Sequence, residues 1–123
     1  ILASCSADTT VKIWDLTNSK CLRSFDHHKD KVQSIEWNVQ ETNALLSGAF
    51  GGNVYAYDIR MASKAAAWKA SADVEKVAWN TYNPAYFAVI FSFFLKSMKC
   101  FKLFKFNKNS FFPFKRFPLK MDL

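Results

Sequence analysis

Cysteine is scarce in this 123-residue chain: Cys5, Cys21 and Cys100 are odd in number, far apart and form no Cys-x-x-Cys pair. That speaks against a disulfide framework or a cysteine zinc site and points to a reducing compartment. Acidic residues are missing from one stretch only. Residues 1–90 hold nine Lys and Arg against nine Asp and Glu, whereas residues 91–123 hold eight against one, so the net charge of +7 belongs to the tail. A formally neutral body gives no ground for a nucleic-acid partner. Long apolar runs are missing too. Tyr86–Leu95 falls well short of the roughly 20 residues a membrane helix needs, and reads as the start of a buried strand. The chain opens on Ile1 without a charged n-region and apolar h-region, so no signal peptide is expected and the start reads as truncated.

Signatures of chemistry are equally thin. Ser, His and Asp are all present, but no Gly-x-Ser-x-Gly elbow or other nucleophile setting occurs. Gly51-Gly52 is followed by neither Lys-Ser/Thr nor a helix signal, so a hairpin turn explains it better than a phosphate cradle. His27 and His28 are adjacent and therefore diverge on a strand or loop, with no third ligand at metal spacing. The expectation is no catalytic residue, no cofactor and no metal.

What the sequence does contain is repetition. Leu2–Asp8 and Val11–Asp15 read as two strands rich in small and β-branched residues, joined by a polar turn in which the Asp8 carboxylate accepts a backbone N–H two residues on. Val11–Asp15 recurs as Val54–Asp58, and Val32–Asn38, ending Ile-Glu-Trp-Asn, recurs as Val74–Asn80, ending Val-Ala-Trp-Asn. These offsets, 43 and 42, fall in the window of about 40–45 residues that marks four-stranded propeller blades. Period 2 puts Ile35 with Trp37, and Val77 with Trp79, on one strand face. Strands are predicted near 2–6, 11–14, 21–25, 32–37, 44–48, 53–57, 66–70 and 74–79, with a third unit opening at Tyr86–Val89. The alanine-rich segment around Ala65–Trp68 has helical propensity, but the repeat requires a strand there.

On these motifs, Ser6–Asp15 above all, residues 1 to about 90 resemble WD40-repeat proteins. Within them Asp30–Gln33, Tyr57–Arg60 and Val74–Asn80 resemble the periodic tryptophan protein family, first-named member. The resemblance implies an all-β, incomplete propeller of about two blades. It also implies a buried hydrogen-bonded set of His, Ser, turn Asp and Trp in each blade. Carried over residue by residue, the first unit supplies Ser4, Asp8 and Trp14 and the second His28 and Ser47, with Gly51 at the Asp position and Tyr57 at the Trp position. The family implies a non-catalytic interaction scaffold, intracellular and nuclear or nucleolar, connected with ribosome biogenesis or chromatin-linked transcription. Tyr57, Asp58 and Arg60 also match the ending by which some WD40 proteins dock to a cullin-ring ligase adaptor, which gives the alternative of a ubiquitin-ligase substrate receptor.

Residues 91–123 are unlike the family. Ten Phe and seven Lys dominate them, a vocabulary with A/T-rich codons expected of read-through or a mispredicted gene boundary. The reading is a non-native or disordered tail. Phe91, Phe94, Leu95, Met98, Phe101 and Phe104 recur at helical spacing, so the tail carries the expectation of a short basic amphipathic helix to about Phe106. Interleaved aromatic and basic residues offer a third function, binding an anionic membrane or single-stranded nucleic acid.

Overall fold

The computed structural model describes residues 1–61, 65–92 and 99–106. They form ten strands: β1 Leu2–Cys5, β2 Val11–Asp15, β3 Lys20–Phe25, β4 Val32–Trp37, β5 Ala44–Ala49, β6 Asn53–Asp58, β7 Ala65–Lys69, β8 Asp73–Trp79, β9 Tyr86–Ser92 and β10 Lys99–Lys105. All pairing is antiparallel, in three sheets ordered β1-β2-β3, β4-β5-β6-β7 and β8-β9-β10. This is the nearly all-β architecture of a partial propeller. No helix among the described residues is long and apolar enough to cross a membrane.

The sheets stack face to face, with the complete four-stranded sheet in the middle. Its strand β5, Ala-Leu-Leu-Ser-Gly-Ala, is buried along its whole length because both of its faces are covered. Alternation sorts its side chains between two cores. Leu45 joins Val11, Ile13, Phe25, Val32, Tyr57 and Ala65 against the first sheet. Leu46 joins Ala56, Trp68, Val74, Val77, Phe87 and Phe104 against the third. Gly48 is needed where the sheets approach closely, since a Cβ there would lie 2.5 Å from Val74 Cγ1 and 2.7 Å from Val77 Cγ1.

Two segments test local propensity against tertiary context. Ala65–Lys69 is strand β7, paired along β6 from Asn53↔Lys69 to Tyr57↔Ala65. Small side chains let it lie flat while Trp68 reaches Phe87, 4.9 Å away edge to face. The tail expectation of a helix to about Phe106 is corrected: Phe91 and Ser92 end β9, and Lys99–Lys105 pairs with β9 as β10. Period 2 wins because Lys102, Phe104 and Phe106 face inward while Phe101 and Lys105 face solvent. Phe104 stacks on Phe87 at 5.2 Å. The inward Lys102 is accommodated by its length, its Nζ donating to Ser71 Oγ at 3.1 Å and lying 5.5 Å over the Phe91 ring. Residues 93–98 and the remainder of the tail after residue 106 fall outside the described residues.

Candidate interaction site

The repeat lays three sets of side chains on one template. Leu2 faces Trp14 across β1 and β2, Leu45 faces Tyr57 across β5 and β6, and Phe87 faces Phe104 across β9 and β10. Two residues further along sit Ser4, Ser47 and Val89. In the first set Trp14 Nε1 donates to Ser4 Oγ at 2.8 Å. Asp8 stays outside that pair: its carboxylate accepts from the Thr10 N–H at 2.9 Å and the Thr10 hydroxyl at 2.7 Å, closing the turn, and both bonds hold its pKa below the usual carboxylate value.

In the second set Ser47 is completely buried and bonds on both sides. His28 Nε2 lies 2.6 Å from Ser47 Oγ, whose hydroxyl donates to Tyr57 OH at 3.2 Å. Ser47 Oγ therefore bridges the two rings, which leaves the other imidazole nitrogen, His28 Nδ1, outside this chain of bonds. That Nδ1 is buried without a partner among the described residues. Gly51 is where the resemblance places a turn carboxylate, and its N–H instead donates to Asp73 Oδ1 at 2.8 Å. Burial drives the His28 pKa down to about 4, helped by neighbouring His27, and drives that of Tyr57 up. The third set, Val89 and Phe104, is wholly apolar. Replacing both partners of a buried hydrogen bond removes the need for it.

His27 and His28 do not converge on a ligand. His27 lies among aromatic rings, 5.6 Å from Tyr55 and 5.4 Å from Tyr57 between centroids. Among the described residues no group of three or more His, Cys, Asp and Glu is placed to hold a metal ion.

At the C-terminal end of β6, Asp58 and Arg60 form a two-pronged pair. Arg60 Nε donates to Asp58 Oδ1 at 2.9 Å and Nη2 to Oδ2 at 2.6 Å, and the Arg60 N–H adds a third bond at 3.0 Å. Asp58 is buried while the guanidinium remains 68% exposed, and the pairing holds the Asp58 pKa down. Tyr57 points the other way, into the core, so the three matched residues do not share a surface. Sequence reading missed Arg23, which reaches from β3 to the Ile59 and Arg60 carbonyls at 3.3 and 3.2 Å and ties the first sheet to this corner. No local motif marks such a contact. The recurring Trp-Asn, by contrast, has a visible reason. Asn38 Oδ1 accepts from the Gln40 and Glu41 N–H groups, and Asn80 Oδ1 accepts from those of Tyr82 and Asn83, so each Asn closes the loop after an inner strand.

Antiparallel sheets of three, four and three strands stacked on a 42–43 residue repeat, with a Ser–Trp bond inside the first, define a β-propeller repeat protein. The family profile "WD domain, G-beta repeat" matches residues 1–15 and 19–58, so this part of the chain carries WD40 repeats. It is 36% identical over 93 residues to the Periodic tryptophan protein 1 homolog of Drosophila melanogaster, covering 72% of this chain and 20% of that protein. To Periodic tryptophan protein 1 of Saccharomyces cerevisiae it is 34% identical over 90 residues, covering 68% and 16%. A shorter match, 53% over 36 residues, joins it to the Nuclear distribution protein PAC1 of Zygosaccharomyces rouxii, covering 29% of this chain and 8% of that protein. The chain thus spans at most about one fifth of the length of these relatives. Its repeats are those of a protein-interaction scaffold.

Proposed function

We propose that the chain contributes blades to a non-catalytic scaffold working in the nucleus or nucleolus, in ribosome biogenesis or chromatin-linked transcription. The observation that carries this reading is the similarity to periodic tryptophan proteins over about seven tenths of the chain, joined to a fold whose polar groups are spent on holding sheets together. Loops and rim, rather than a reactive pocket, are what such blades present to partners. The test is to tag the protein in cells and recover what it binds. Nucleolar signal with pre-ribosomal or chromatin partners is the expected result, and exclusion from the nucleus would overturn the reading.

The Asp58–Arg60 pair favours a second reading, a substrate receptor of a cullin-ring ubiquitin ligase. A buried carboxylate fixes an exposed guanidinium in place, as a docking charge requires. Adaptor recovery that is lost on Arg60→Ala supports it, and adaptor recovery unchanged by that substitution removes it.

A further inference from the structure

The joint between the second and third sheets is polar along its inner edge. In β8, the Asn80 N–H bonds the Tyr86 carbonyl on the β9 side, so by the alternation of an antiparallel ladder Ala78 and Lys76 also pair toward β9. Val77 and Trp79 therefore turn their N–H groups to the other edge of β8, on which no strand is paired among the described residues. Side chains of β4 take that strand's place. Ser34 Oγ accepts from the Val77 N–H at 3.2 Å, Glu36 Oε2 from the Trp79 N–H at 2.7 Å, and the Glu36 carbonyl from Trp79 Nε1 at 3.1 Å. Two residues on, Asn38 Nδ2 donates to the Pro84 carbonyl at 3.0 Å.

Residues i, i+2 and i+4 of an extended chain share a face, so Ser34, Glu36 and Asn38 make one polar stripe laid on the next sheet. The repeat does not require it. Forty-two residues on, Lys76 and Ala78 stand where Ser34 and Glu36 do, and only Asn80 keeps its type. Glu36 is the centre of the stripe, because it takes both N–H groups of Trp79, one of them on a charged acceptor. The Trp79 ring in turn lies 5.4 Å from Phe87 and 5.0 Å from Phe106, edge to face in each case. Through Trp79, Glu36 positions the core of the third sheet, and Asn38 sets the loop 80–85 beside the loop 38–43.

We infer that Ser34, Glu36 and Asn38 form a clamp that holds the third sheet to the second, and that β8, β9 and β10 open as one unit when Glu36 is lost. The joint between the first two sheets is built from other bonds: the Val32 N–H to the Ser6 carbonyl at 3.1 Å, and Arg23 to the Ile59 and Arg60 carbonyls. Loosening the clamp leaves that joint closed, so local stability divides along the line between β4 and β8. The clamp also caps the β8 edge, whose bare N–H groups would be a template for pairing with another chain. The inference concerns how the scaffold holds neighbouring loops in place, and it stands whatever those loops bind, since opening is read without a partner.

The test is amide hydrogen exchange of the whole chain, resolved by residue with NMR, in the unsubstituted protein and in Glu36→Ala, Glu36→Gln and Ser34→Ala. In Glu36→Ala the Trp79 amide and the amides of the β8–β9 and β9–β10 ladders are expected to exchange at least about tenfold faster, while the β5–β6 ladder is unchanged. A smaller acceleration of the same amides is expected in Glu36→Gln, which keeps an acceptor, and in Ser34→Ala, where the Val77 amide responds most. These two variants carry the test if Glu36→Ala does not fold. Equal acceleration in all three sheets would mean global destabilisation without a separate opening unit and would overturn the inference. Acceleration confined to Val77 and Trp79, with the β9–β10 ladder untouched, would overturn it too, as would unchanged exchange at Trp79.

Discussion

Protonating His28 is expected to unlock the interface between the first two sheets. The ring is 2% exposed, bonded through Nε2 to a buried serine, and its pKa is pushed from an ordinary value of about 6.5 down to about 4. A base with a depressed folded pKa makes the unfolded state the better proton binder. Its stabilising contribution is therefore complete above about pH 6.5 and is lost as pH falls toward 4. At about 1.36 kcal/mol per pH unit, the loss is at most roughly 2 kcal/mol by about pH 5 and roughly 3 kcal/mol by about pH 4. Residual solvent screening brings the measured figure toward the lower number. His27, shifted in the same direction by burial, adds to the slope. The carboxylates Asp8, Asp15 and Asp58 are held below their ordinary values and lose their contribution only in the more acid range, so they do not mimic the effect. Urea unfolding at a series of pH values measures it, with His28→Gln as the comparison, since glutamine can donate to Ser47 but does not titrate. A flat stability profile between about pH 7 and pH 5, or the same slope in His28→Gln, would refute the reasoning.

Gly48→Ala is expected to destabilise by about 1–3 kcal/mol through overpacking against Val74 and Val77, measured by denaturant midpoint. Shrinking Val74 to Ala in the same chain should recover part of the loss. Phe87→Ala removes a side chain packed against Trp68, Trp79 and Phe104 and is expected to cost about 3–5 kcal/mol. A much smaller loss in the thermal melt would mean that the third sheet is not packed as described. Arg60→Ala should leave the His28–Ser47–Tyr57 chain and its pH dependence unchanged, because the exposed guanidinium bonds Asp58 while Tyr57 turns into the core, and unfolding curves across pH check this.

The positions of most strands were legible because they depend on local order: β-branched and aromatic residues at period 2, Asn and Asp at the turns, and a repeat that states each element twice. The Ser4–Trp14 and His28–Ser47 pairs came from the family resemblance rather than from local order, and the structure joins each by a hydrogen bond. What only the tertiary structure decided lies between sheets. Lys99–Lys105 lies in a stretch of helical spacing and became a strand because the β9 edge offered a ladder and a core that accepts alternate side chains, whereas the repeat had already assigned Ala65–Lys69 to a strand against its propensity. Arg23 reaches carbonyls 36 and 37 residues away, and Ser34 and Glu36 satisfy backbone donors 43 residues on. Periodicity determines which face a side chain occupies, but the partner that face meets is set by how the sheets stack, and that is a property of the folded chain.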